Sequence, residues 1–104
     1  MIEQIYELST RDEKVIEKII QDENIHYNHM ILRKNDDLPE HYSNSTVYMT
    51  VVRGMLSIGL NDQIVRQYDR GTLLKIPKNT KMNVKNLSDN VLELIVVKSP
   101  APSK

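Results

Sequence analysis

The chain has 104 residues and 12.1 kDa, enough for one domain with a single core and too little for two. Fourteen basic and fourteen acidic residues cancel, and five Tyr are the only aromatics, so neither a phosphate-backbone footprint nor a set of base-stacking platforms is available, and nucleic acid is excluded as an expected partner. No cysteine is present, which removes disulfides, thiolate nucleophiles and Cys-type metal sites.

The opening MIEQIYELSTRDEK lacks a basic start and a long apolar stretch, and no apolar run approaches ~20 residues. A cytoplasmic protein without membrane contact is expected. Val15, Ile16, Ile19 and Ile20 then recur at a helical period behind Thr10-x-x-Glu13, which resembles a capping box. The same residues suit a strand buried on both faces, so periodicity alone leaves both readings and favours a helix. From Ile25 onward the pattern changes to short apolar segments at 25–33, 46–53, 55–60, 64–68, 72–76, 82–86 and 91–98. Each is closed by Gly, Pro, Asn or Asp, and β-branched residues run throughout, which predicts an all-β sandwich or barrel. Asn35-Asp36-Asp37, Asn61-Asp62, Asp69-Arg70-Gly71, Lys78-Asn79 and Ser88-Asp89-Asn90 read as hairpin connections. Residues 1–14 form an N-terminal segment, 15–98 the β domain, and 99–104, with two prolines, a frayed tail.

Two stretches carry a more specific pattern. From Asn35 through His41, Ser43 and Val47 to Gly54, the spacing resembles the first motif of the cupin superfamily, G-x5-H-x-H-x3-E-x6-G. From Gly71 through Pro77, Asn79 and Met82 to Asn86 it resembles the second, G-x5-P-x-G-x2-H-x3-N. His41, Gly54, Gly71, Pro77 and Asn86 match, and Asn35 and Asn79 stand where the family has glycine, a place a left-handed asparagine can fill. The resemblance implies a jelly-roll β-barrel, the double-stranded β-helix, and it favours a strand over a helix for residues 15–20. It also implies a homodimer, consistent with apolar strand edges that need cover.

In the family, two histidines and a glutamate of the first motif and a histidine of the second hold one divalent metal. Those positions here read His41, Ser43, Val47 and Met82. One imidazole, one hydroxyl, an alkyl group and a thioether do not make a site for Mn, Fe or Ni, so His41 is the sole retained ligand and no metal cofactor is expected. The resemblance therefore points to a small-molecule-binding or sensing barrel without metal-dependent catalysis, with a pocket bounded by His41, Ser43, Val47, Met49, Met82 and Val84. Two alternatives stay open: an enzyme, with unconventional metal ligands or with His41 as acid/base, and a dimerisation or interaction module. Met30, Met49 and Met55 read as core filling or as a soft, adaptable pocket. His26 and His29 lie on opposite faces of one strand, so only one of them can join His41. Glu40 is expected to point away from His41. Glu93, the only acid inside an apolar run, is expected to face solvent on an edge or outer face. The chain shows no G-x-S-x-G, P-loop, G-x-G-x-x-G or H-E-x-x-H sequence.

Overall fold

Alternation of large apolar and polar side chains at period two builds nine strands in the computed structural model, which describes residues 1–103. They are β1 (Val15–Gln21), β2 (His26–Leu32), β3 (His41–Tyr42), β4 (Thr46–Arg53), β5 (Met55–Leu60), β6 (Arg66–Asp69), β7 (Leu73–Ile76), β8 (Lys81–Lys85) and β9 (Leu92–Ser99). Every pairing is antiparallel. A five-stranded sheet runs β1-β2-β9-β4-β7 and a four-stranded sheet runs β3-β8-β5-β6. The described residues form no helix.

The two sheets face each other across a core of Met30, Leu32, Val47, Met49, Val51, Leu56, Ile58, Ile76, Met82, Val84, Leu92, Leu94 and Val96. Met30 and Met49 belong to it, whereas Met55 is only partly buried. The expected barrel is an open double-stranded β-helix: no strand ladder joins one sheet to the other, and the edge strand β3 is only two residues long. Closure would need a continuous ladder that so short an edge cannot supply.

Residues 15–20 are strand, and the structure also accounts for their helical appearance. Pairing of β1 with β2 shifts register between Lys18 and Ile20, so Ile19 is an extra residue in a bulge. One inserted residue turns a period of two into a spacing that imitates a helical turn.

The turns follow their chemistry. Asn35, Asn61 and Asn79 have φ of 68°, 51° and 67°, the left-handed conformation that asparagine tolerates best after glycine. Gly54 and Gly71 share φ near +85° (85° and 86°) for different reasons: a Cβ on Gly54 would stand 2.3 Å from the Val91 carbonyl oxygen, while one on Gly71 would meet nothing within 4 Å. Asn86, fully buried, donates from Nδ2 to the carbonyls of Leu32 and Asn90 and accepts at Oδ1 from Ser88, stitching the β8–β9 loop to the end of β2. At the C-terminus, fraying does not begin at Ser99 as expected. Ser99 ends β9, the Ser45 hydroxyl donates to the Pro100 carbonyl, and the Ala101 N–H donates to Asn24 O.

Candidate functional site

The motif positions converge, but on packing rather than on a ligand cage. His41 pairs with Met82 across β3 and β8, Leu60 of β5 pairs with Met82 from the other side, and Val47 of β4 pairs with Ile76. Val47, Met49, Met82 and Val84 are at most 3% exposed and all belong to the core. Ser43, just beyond β3, is buried and fully engaged. Its Oγ donates to the Pro77 carbonyl at 2.7 Å and accepts from the Thr80 N–H at 2.9 Å. Its backbone bonds Thr80 and Asn79 as well. His41 is exposed at the rim, with Nδ1 2.9 Å from the carbonyl of Pro39, to which it donates. Glu40 points elsewhere, accepting from Asn83 Nδ2. This donor set does not fit the family's divalent ion. The hydroxyl is already spent on the β7–β8 turn, two positions are apolar core, and a single rim imidazole remains.

The chain's most concentrated polar chemistry lies on the opposite, outer face of the five-stranded sheet. His29 is fully buried there, opposite Glu17 in the β1–β2 register, with Nδ1 2.8 Å from Glu17 Oε1 and Nε2 2.6 Å from Glu93 Oε2. Glu93 does not face solvent: its side chain is 18% exposed and its second oxygen accepts from Arg53 Nε at 2.8 Å. Arg53 in turn donates to Asp12, and the Ser9 N–H donates to Glu17, so the network fastens the N-terminal segment to the sheet. The hydrogen bond from His29, then that from Ser9, holds the Glu17 carboxyl below its ordinary range against a smaller desolvation effect. For Glu93, burial pushes the carboxyl up, yet the hydrogen bonds and charges of His29 and Arg53 together outweigh it and leave the group lowered. Both ring nitrogens of His29 are occupied by carboxylates, so the ring holds structure and is withheld from chemistry. Isolated ionisable residues inside apolar runs on two strands were the only signals of this network in the sequence.

A second polar group lies on the inner face, beside the motif positions. Parity with the core residues Met30, Leu32, Leu94 and Val96 directs Asn28, His26 and Lys98 inward. Lys98 pairs with His26 on one side and with Val47 on the other, and Asn28 pairs with Lys18 of β1. Burial, and then the nearby Lys18 charge, lower the Lys98 ammonium from its ordinary range. The Asn28 Oδ1 is buried with no hydrogen-bond partner among the described residues. His26 and His29 thus do occupy opposite faces. A separate groove of about 250 Å³ crosses the outer face of the four-stranded sheet, with Ser57 and Gly59 on β5 and Lys81, Asn83 and Lys85 on β8 among its lining residues.

No family model matches the chain. An uncharacterized protein of Methanocaldococcus jannaschii, MJ0764, is 39% identical over 106 residues, covering 100% of this chain and 90% of that protein. Its crystal structure, described as an RmlC-like cupin family protein with a double-stranded β-helix fold, has a TM-score of 0.95 at 37% identity, covering 98% of this chain and 94% of that one. A cupin superfamily protein of Desulfitobacterium hafniense has a TM-score of 0.76 at 10% identity, covering 88% of this chain and 83% of its own. A cupin domain of Bordetella pertussis has a TM-score of 0.71 at 16% identity, with coverage of 88% and 97%. These last two likenesses concern the fold alone. With two sheets in double-stranded β-helix topology, Gly54, Gly71, Pro77 and Asn86 of the motifs in place, and a relative that matches 100% of this chain and is itself covered to 90%, the chain belongs to the RmlC-like cupin family.

Proposed function

We propose that this chain is a metal-free, non-catalytic cupin that binds a small molecule on the inner face of its larger sheet, acting in the cytoplasm as a homodimer. One observation carries the reading: three of the four positions where the family keeps its metal ligands are occupied by core side chains and a committed serine, while Lys98, next to Val47, and Asn28 keep polar groups that no described residue satisfies. A buried acceptor without a donor is costly, and ligand or water is the usual remedy.

Elemental analysis of the purified, dialysed protein tests the metal-free half. The expected content of Mn, Fe, Ni, Zn and Cu is far below one ion per chain. A ratio near one that survives dialysis and vanishes in His41→Ala would overturn the reading in favour of a metal enzyme. A second reading, an interaction module, draws on the near-complete burial of Val47, Met49, Met82 and Val84. It gains if no small molecule stabilises the protein and sedimentation shows a self-associating or partner-bound species.

A further inference from the structure

Along β9 the inward-facing positions run Leu92, Leu94, Val96 and then Lys98, so the apolar core gives way to a cation at one end of the inner face. On β2 the same rows run Leu32, Met30, Asn28 and His26. Two kinds of unmet demand meet there. Lys98 and Lys18 form no ion pair among the described residues, and the Lys18 charge, after burial, makes that of Lys98 less favourable. The acid on β1, Glu17, points to the other face and is bound to His29, and Asp22 lies by His26 with its carboxylate already accepting from the N–H groups of Asn24 and Ile25. An anion would relieve the lysines. Asn28, 7% exposed, makes the second demand, because its buried Oδ1 accepts nothing and a simple anion has no proton to offer it. A hydroxyl on the anion meets both.

We propose that Lys98, Lys18 and Asn28 form a binding site for a small anion that carries a hydroxyl group, as a hydroxycarboxylate or a protonated phosphate does. The lysines supply charge-assisted donors to the anionic oxygens, and the ligand hydroxyl donates to Asn28 Oδ1. The assignment rests on the small-molecule reading above and names the ligand class for that face.

The test compares anions matched in shape that differ in the hydroxyl. Inorganic phosphate is set against sulfate, and glycolate against acetate, by thermal shift and titration calorimetry at neutral pH and constant ionic strength, with glucose as a neutral probe. Expected are saturable stabilisation by phosphate or glycolate and binding about tenfold or more tighter than that of the partner lacking the hydroxyl. Lys98→Met should weaken the bound anion about tenfold or more, and Lys98→Arg should retain it. Asn28→Leu should erase the difference within each pair. Should Lys98→Met not fold, Lys98→Gln reads the same loss. Equal effects of phosphate and sulfate and of glycolate and acetate on the parent, or unchanged binding in the Lys98 variants, overturn the proposal. If glucose binds saturably and the anions do not, this proposal falls while the small-molecule reading stands. If none of the five binds, both fall.

Discussion

Replacing Ser43 by alanine separates a packing role from a ligand-binding role at a motif position. In the native chain the hydroxyl is 2.7 Å from the Pro77 carbonyl and 2.9 Å from the Thr80 nitrogen, and Ser43 and Thr80 are 2% and 7% exposed. Alanine removes both bonds unequally. The Pro77 carbonyl keeps a donor in Thr80 Oγ1, at 2.7 Å, so that acceptor stays satisfied. The Thr80 N–H, however, loses its partner inside the protein, and a stranded buried donor costs roughly 1–3 kcal/mol; we expect about 2 kcal/mol. That is a sizeable part of the ~5–15 kcal/mol typical of a domain and corresponds to a fall in Tm of roughly 8–16 °C. Urea denaturation followed by far-UV circular dichroism measures it, with an unchanged m-value expected because the surface exposed on unfolding is the same. Thr80→Val gives an internal check. Alone it leaves the Pro77 carbonyl bonded to Ser43 and should cost only about 1 kcal/mol. Combined with Ser43→Ala it deprives that carbonyl of both donors, so the double variant should lose more than the sum of the singles. A Ser43→Ala variant within ~0.5 kcal/mol of the parent, and additive with Thr80→Val, would refute the reasoning and return the hydroxyl to the candidate ligand set.

Other perturbations address the outer network and the turns. His29→Leu withdraws the group between two carboxylates and should destabilise by about 2–3 kcal/mol in urea denaturation, near the low end of the range for breaking a buried pair because both acids keep some access to water. A loss under ~0.5 kcal/mol would mean that the ring is not what holds Glu17 and Glu93. Since folding lowers the Glu17 and Glu93 carboxyls from 4.5, the stability they contribute is present above that pH and is lost as the pH falls through their folded values. Denaturation measured from neutral pH downward should show this acid loss, and Glu93→Gln should flatten it; an identical profile in the variant would count against the linkage. Gly71→Ala should cost about 1–2 kcal/mol for the left-handed backbone alone, and Gly54→Ala clearly more, because its Cβ would meet the Val91 backbone at 2.3 Å; equal costs measured by denaturation would contradict that contact. Sedimentation velocity should give a dimer, and a monomer at all concentrations would remove the homodimer from the proposal.

Several features were legible in the chain because they are local. Alternation along residues 46–53 and 91–98 needs only the strand period, and Asn35, Asn79, Gly54 and Gly71 announce left-handed turns through their own backbone preferences. The poor match of two motif positions to the family's ligand set was readable too, since donor chemistry belongs to side-chain identity: Val47 and Met82 are poor ligands for Mn, Fe or Ni in any fold. Tertiary structure decided what depends on partners far along the chain. Glu93 reads as a surface acid until β2 lies beside β9 and brings His29, 64 residues earlier, within 2.6 Å of it. Ser43 reads as a free hydroxyl until the β7–β8 turn places Thr80 and Pro77 against it. The bulge at Ile19 is invisible in composition because an inserted residue shows itself only against the strand it fails to match. A side chain's chemistry is written in its own residue, but whether that chemistry is satisfied, spent or, as for the Asn28 Oδ1, without a partner among the described residues is a property of neighbours that only the folded topology supplies.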